Sequence, residues 1–388
     1  MKQLSKMMLA AVASVALATS AYAWDFGASG SSSATFKQKT EAPAEGDATT
    51  TANFSSSAGG VTVSSSNSDG ANSATFSYTA DWNGDAGNFD ESVSVSGSKK
   101  VGNWTASSAT TQHIQKDIGP GADDASANAA PMGAGASAVI TLTDGSITYK
   151  LGDSAHLSTA EKAVNGPMGG AQDAEASVDS FNGFSVGLGV GPGTLTVALD
   201  MHSGATATVL GETVAGGAAA LACGGGQVTG FGFNFAGDVG ADLTFTYGSG
   251  GFAMSANCTG DNSSNGYSYN TMGLGVAVPI GDMSLAIDYG SSVGLWTNAT
   301  AEGGSAKSGW ELSFTLPVGD ASAGINLSST ATVTTTGGEA GDPAVTGGTE
   351  LWYTVPIGAV SLSAGYGSAA VVDGTTTTQI GAEMSMSF

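Results

Sequence analysis

The chain has 388 residues, 60 of them Gly, with 33 acidic against 10 basic side chains and a formal net charge of −23. Every basic residue is Lys. The Lys and Arg clusters that neutralise phosphate, and the bidentate clamps that Arg makes on anions, are therefore missing, which excludes a nucleic-acid binder. An apolar fraction of 41% is untypical of disorder, yet the apolar residues seldom take helical spacing, and the length would hold one large domain or two ordinary ones.

Lys2 and Lys6 precede an apolar stretch from Met7 to Thr19, and Ala21-Tyr22-Ala23 supplies the small residues of a cleavage site. Residues 1–23 therefore read as a secretory signal, with Trp24 as the mature N-terminus. The run is shorter than the roughly 20 apolar residues of a spanning helix. Its removal leaves 8 Lys against 33 acids, a charge of −25. No later apolar run would span as a helix, so membrane insertion would have to use strands.

Residues 24–70 suggest a strand hairpin: Trp24, Phe26, Ala28, Ala34 and Phe36, then Ala52, Phe54, Val61 and Val63 across an acidic loop at 38–49. Asp69-Gly70 would turn it into the next strand and add it to a wall, whereas its weak alternation favours packing elsewhere; the residues leave both placements open. From Ala71 the period is two. Ala74, Phe76, Tyr78 and Trp82 mark one strand, Val93 and Val95 pair across Ser98-Lys99 with a strand around Trp104, and Asp144-Gly145 joins Ile140 and Leu142 to Ile147, Tyr149 and Leu151. Beyond Ser180 the alternation is continuous, through Leu195, Val197, Leu199, Met201 and Met283, Leu285, Ile287, Tyr289 to Ile380, Ala382, Met384, Met386 and Phe388.

The connections alternate between tight turns (Gly191-Pro192-Gly193, Gly237-Asp238, Gly281-Asp282, Gly319-Asp320) and long polar stretches at 202–226, 249–267, 291–307 and 333–346. Short turns at one end and long loops at the other are the pattern of an all-β transmembrane antiparallel barrel, and a soluble sandwich has no reason to keep that asymmetry. Residues 71–388 supply sixteen strands; the N-terminal hairpin would make eighteen.

If the apolar parity faces lipid, the other parity lines a pore. That inward list carries Asp81, Asp90, Asp200, Asp242, Asp288, Glu311, Glu350 and Glu383, with Lys150 the one Lys placed inside on a strand. In a wide aqueous lumen such carboxylates stay hydrated without partners, and their summed field favours cations. Asp200 and Asp288 sit near strand ends, which suggests a rim position. Trp82, Trp104, Trp310, Tyr289 and Tyr366 fit the aromatic girdles at lipid headgroup level.

Asn88-Phe89-Asp90-Glu91-Ser92-Val93-Ser94-Val95-Ser96-Gly97, Asp144-Gly145-Ser146-Ile147-Thr148-Tyr149-Lys150-Leu151-Gly152-Asp153 and the terminal Met384-Ser385-Met386-Ser387-Phe388 make residues 71–388 resemble the general porins of Gram-negative outer membranes, of the acidic alphaproteobacterial type. The resemblance implies passive diffusion of small hydrophilic solutes, no enzymatic activity and no cofactor. Its implied partners are outer-membrane lipid, lipopolysaccharide, the barrel-assembly machinery reading Phe388, and two further copies in a homotrimer. It also implies that the loop after Asp153 folds inward to narrow the pore, with Asp153, Glu161, Lys162, Asp173, Glu175 and Asp179 in it; the competing inward loop is 111–135, with Asp117, Asp123 and Asp124. Two departures stand out: there is no Arg for a basic wall opposite the loop, and the N-terminal hairpin lies outside the sixteen-strand plan.

Cys223 and Cys258 fall in successive long loops on one predicted side, where export through an oxidising compartment would allow a disulfide; two separate thiols are the alternative. His113, His156 and His202 are scattered over loops without zinc spacing. Asp123-Asp124 and Asp261-Asn262 offer oxygens of the kind calcium takes, but neither has an EF-hand register and solvated turns are the better reading. The rival functions are a substrate-specific outer-membrane channel, which eighteen strands would favour, a surface adhesin, and a secreted all-β surface or structural protein.

Overall fold

The computed structural model describes residues 24–83, 88–118, 137–166, 180–204, 208–209, 212–213, 226–254, 266–297, 302–336, 339–371 and 374–388. The signal segment 1–23, the loop acids Asp123, Asp124, Asp173, Glu175 and Asp179, the pair Asp261-Asn262, and both Cys223 and Cys258 lie outside them.

The strands in chain order are β1 (Asp25–Ala42), β2 (Thr49–Ser68), β3 (Asn72–Asn83), β4 (Asn88–Val101), β5 (Trp104–Ile118), β6 (Ser137–Thr143), β7 (Ile147–Ala155), β8 (Ser180–Val190), β9 (Gly193–Gly204), β10 (Thr208–Val209) and β11 (Glu212–Thr213). They continue as β12 (Gly226–Asp238), β13 (Asp242–Met254), β14 (Gly266–Ile280), β15 (Met283–Thr297), β16 (Glu302–Val318), β17 (Ala321–Thr336), β18 (Glu339–Ala340), β19 (Ala344–Ile357), β20 (Val360–Val371) and β21 (Thr376–Ser387). β10 and β11 pair only with each other, and β18 is a two-residue arm on β17. Each of the others pairs with the next one along: β9 meets β12, β17 meets β19, and β1 meets both β2 and β21. Eighteen long strands thus form one all-β sheet that closes on itself, with the topology of an antiparallel barrel. The N-terminal hairpin joins the wall, so the sixteen-strand count gives way to eighteen.

Two units can be described separately: Met1–Ser32 with Ala58–Ile140 and Ser387–Phe388, and Ser33–Ser57 with Thr141–Met386. The first contains the seam. Gly30 and Phe388 exchange backbone hydrogen bonds, Gly30 N–H donating to the Phe388 carbonyl at 2.7 Å and Phe388 N–H returning one at 2.9 Å. A Cβ on Gly30 would stand 2.9 Å from the Gly60 carbonyl oxygen and 2.5 Å from the Phe388 ring, so a bare Gly lets β2 and the last residue close in on β1 here. The same unit holds the Asp69-Gly70 turn. Gly70 has φ 83°, a conformation open to Gly, and Asp69 Oδ1 accepts from the amides of Ala71 at 2.9 Å and Asn72 at 2.6 Å.

In the second unit the alternation is visible in burial. Leu199, Met201, Ile287, Tyr289, Trp310, Leu351 and Tyr353 are exposed, while Asp200, Asp288, Glu311 and Glu350 beside them are buried. Tyr289 and Trp310 are cross-strand partners on the exposed face. At Asp144-Gly145, Asp144 Oδ1 accepts from the amides of Ile147 at 2.8 Å and Ser146 at 2.9 Å, and these bonds, led by Ile147, hold its carboxyl below the usual range.

Boundaries differ from the sequence expectations in one consistent way: strands run on into polar sequence. The turn expected at Ser98-Lys99 lies at Gly102-Asn103, with Val93 opposite Gln112 and Val101 opposite Trp104. The turn placed at Gly237-Asp238 lies at 239–241. Most of the stretch 291–307 is strand, with Ser291 opposite Ser308, and β1 runs on to Ala42 through much of the supposed loop 38–49. Ladder hydrogen bonds need only backbone, so Ser, Thr and Gly extend a strand where no apolar face marks it.

Candidate functional site

Within the second unit the chain leaves β7 and runs without regular structure from His156 to Gly166 across the inner faces of β12 to β19. The contacts are ordered. Leu157 lies over Gly232 of β12, the Ser158 carbonyl accepts from Thr246 Oγ1 of β13 at 2.8 Å, and the Ala160 carbonyl sits above Gly275 of β14. Asp288 of β15 then accepts from the Lys162 amide at 2.9 and 2.8 Å and from the Ala163 amide at 2.6 Å. The Val164 amide donates to Ser313 Oγ of β16 at 3.0 Å, and Asn326 Nδ2 of β17 donates to the Val164 carbonyl at 3.1 Å and to Asn165 Oδ1 at 2.6 Å. The Gly166 amide donates to Glu350 Oε2 of β19 at 3.1 Å.

The segment is long enough for this crossing. Six gaps between strands at about 4.8 Å span roughly 29 Å, and the nine steps from Leu157 to Gly166 reach about 30 Å at the ~3.3 Å per residue of extended chain. The inner side of a closed sheet is shorter still, so the segment reaches across, and its contacts with successive strands fix its path. Two features make room. Gly232 and Gly275 leave the inner face bare where the segment crosses, and a Cβ at Gly275 would stand 1.6 Å from the Ala160 carbonyl oxygen. At the far end Gly166 lies against the buried indole of Trp352, whose ring edge would be 2.4 Å from a Cβ there.

His156 fixes the near end. Its Nε2 lies 2.9 Å from the Gly152 carbonyl, which only accepts, so Nε2 carries the proton and Nδ1 accepts from Ser185 Oγ at 2.9 Å. Both bonds suit the neutral ring. Burial pushes this ring below its ordinary 6.5, and the nearby Lys150 charge acts in the same direction. The unfolded chain takes up the proton near pH 6.5 and the folded one only at lower pH. Stability should therefore fall as pH drops from about 6.5 and level off once the folded ring also protonates. Thermal unfolding of the detergent-folded protein at pH 8 and pH 5 checks this: the loss between the two should shrink in H156Q.

The acids named from sequence divide into two groups. Asp200, Asp288, Glu311 and Glu350 are on the inner face as expected, but they are buried. The expectation of hydrated, partnerless carboxylates fails for this set: Asp288 and Glu350 hold amides of the segment, and Glu311 Oε1 accepts from Asn326 Nδ2 at 2.8 Å. Nor is Asp288 near a rim; it sits within β15, opposite Gly275 and Glu311. The second group stays in contact with water. Asp242 is exposed, Glu161 is exposed on the segment, Asp153 ends up half-exposed on β7, and Glu383 is partly covered, accepting from Thr35 Oγ1 at 3.3 Å. In the first unit Asp81 is exposed on β3, opposite Asp90. Lys150 is on the inner parity of β7, opposite Ser185, and it is not the only Lys so placed: Lys307 shares the parity of Glu311 on β16. Lys307 ends the polar stretch 291–307 expected as a long loop, and it lies on β16.

Asn326, Ser185 and Trp352 carry no signal of their own in the sequence, and His156 is weighed there only as a zinc ligand. The available signal was Gly at inward parity, as at 232, 275 and 324, which marks where something approaches the backbone closely. Among the described residues no group of three or more His, Cys, Asp or Glu is placed to hold a metal ion.

The fold and this inward segment together define a closed eighteen-stranded antiparallel β-barrel with one chain segment pinned across its inner wall. In structural comparison the chain is similar to the outer membrane channel DcaP of Acinetobacter baumannii, with a TM-score of 0.52 and 11% identity over 94% of this chain and 97% of that one. It also aligns with the anion-selective porin of Comamonas acidovorans, with a TM-score of 0.49 and 10% identity over 94% of this chain and 100% of that one. No protein-family model and no curated protein matches the sequence.

Proposed function

We propose that the protein is an outer-membrane channel through which small hydrophilic solutes diffuse passively, with a preference for cations. The observation that carries this is the pinned segment: a strip of chain crossing the polar inner face of a closed sheet whose other face exposes Leu, Ile, Met, Trp and Tyr. An exposed face of that composition suits lipid and would be a liability in water. The polar inner face suits water. Asn234 Nδ2, Thr244 Oγ1, Thr271 Oγ1, Asn326 Oδ1 and Trp352 Nε1 are buried with no protein partner among the described residues, a need that internal water meets. Together these features disfavour a secreted structural protein.

The secretory signal, the homotrimer, contacts with lipopolysaccharide and recognition of Phe388 by the assembly machinery belong to the same proposal and rest on the family resemblance. The Gly30–Phe388 closure supports a role for the terminal residue in completing the ring. The calcium and disulfide readings stay as expectations about residues 123–124, 261–262, 223 and 258. A substrate-specific channel is the second reading, favoured by eighteen long strands rather than sixteen.

The test is conductance of the purified protein in a planar bilayer under a potassium chloride gradient. Discrete steps with a reversal potential of the sign for potassium support the proposal; absence of conductance from protein shown to be folded removes it. Block of those steps by particular solutes at low concentration would decide for the specific channel.

A further inference from the structure

We infer that Lys162 sets the strength of cation selection by neutralising Asp242, and that the backbone grip on Asp288 places it there. This rests on the channel reading. Lys162 Nζ lies 2.9 Å from Asp242 Oδ2, with the Lys side chain 19% and the Asp side chain 57% exposed. The pair therefore borders open solvent, where one charge more or less is felt by passing ions. Four of the inner-face acids, Asp200, Asp288, Glu311 and Glu350, are buried against the wall. The field that ions meet on this side comes from the exposed groups, among them Asp242 and Glu161, and Lys162 cancels one of them.

Position is fixed by the chain itself. The Lys162 amide donates to both oxygens of Asp288 on β15, while its side chain reaches Asp242 at the start of β13, two strands away. Backbone and side chain thus bind different strands. The Cα cannot slide without breaking the Asp288 bonds, and the ammonium reaches Asp242 from that fixed point. Because Asp242 is exposed and the ion pair borders solvent, its loss has little effect on folding. Its effect on permeating ions is electrostatic and is screened by salt.

The experiment compares reversal potentials of the wild-type protein, K162Q, K162R, D242N and the double variant in planar bilayers with potassium chloride gradients, near 0.1 M and near 1 M. At low salt K162Q should raise the potassium-to-chloride permeability ratio about two- to fourfold, D242N should lower it by a similar factor, and the double variant should return close to the wild-type ratio. K162R, which keeps the charge, should match wild type. Near 1 M these differences should collapse, because the screening length falls to about 3 Å.

If K162Q and D242N both leave the ratio unchanged, the inference is wrong while the channel reading stands. Shifts of the same sign in both, with altered conductance persisting near 1 M, would mean that the pair holds the segment mechanically, which also overturns it. A folded wild-type protein with no conductance at all removes the channel reading and the inference together.

Discussion

D288A should unpin the inward segment and turn a steady channel into a noisy, wider one. The Asp288 carboxylate receives the amides of Lys162 and Ala163 in three contacts of 2.6 to 2.9 Å; the contacts that follow are one bond to Ser313 at 3.0 Å, two from Asn326 at 3.1 and 2.6 Å and one to Glu350 at 3.1 Å, of which only the Asp288 and Glu350 bonds are to a carboxylate. Hydrogen bonds to a charged acceptor contribute about 1.5–3 kcal/mol each. Loss of the carboxylate therefore weakens the local hold by several kcal/mol, and each ~1.4 kcal/mol is a tenfold change in the pinned fraction. The barrel itself should survive, since Asp288 contributes no ladder bond through its side chain and the closing contacts lie at Gly30 and Phe388. In single-channel recordings the expected result is raised mean conductance with fast flicker. D288N should show the same defect in milder form, since one amide oxygen replaces two carboxylate oxygens. Unaltered, quiet conductance in D288A would show that the segment is held elsewhere.

The legible and the illegible parts of this protein follow from what a side chain reports. Strand identity was readable wherever one face must be apolar: Leu195 to Met201 and Met283 to Tyr289 alternate, and the structure places those residues on one exposed face. Strand ends were not readable. Residues such as Ser291, Ser292 and Lys307 pair across β15 and β16 without any apolar marker, so a ladder made by backbone alone looked like a loop. The hairpin of β1 and β2 was ambiguous for the same reason, its Ser-rich and Gly-rich runs giving weak alternation.

For the site, parity placed Asp288, Glu311 and Glu350 on the inner face, yet their roles depended on a second chain segment lying over them. No period along one strand encodes what crosses it at right angles. The resemblance to porins singled out the stretch after Asp153; Glu161 and Lys162 are described there, whereas Asp173, Glu175 and Asp179 fall outside the described residues. The partner of Lys162 was out of reach from sequence because Asp242 is 80 residues away.

G275V should displace the segment by collision rather than by loss of a bond, and its effect should match or exceed that of D288A. Gly275 is opposite Thr244 and Asp288 on the inner face. A Cβ there would stand 1.6 Å from the Ala160 carbonyl oxygen and 2.8 Å from Asp288 Oδ1. The first of these is a backbone atom, so no rotamer change relieves the clash; Ala160 has to lift by more than an ångström. Lys162 and Ala163 follow two and three residues later, and lifting Ala160 pulls their amides off Asp288. The same substitution disturbs nothing on the exposed face, and Val suits a strand, so folding measured by heat modifiability should persist. The control is G187A, also on the inner face, where a new Cβ meets nothing closer than 3.5 Å. Quiet, wild-type conductance is expected from G187A and open, flickering conductance from G275V. Combining G275V with D288A should add little to either alone, since both release the same contact and residues that act through one contact are not additive. Full additivity would mean that Gly275 and Asp288 act on different parts of the channel, and the single pinned segment would have to be abandoned.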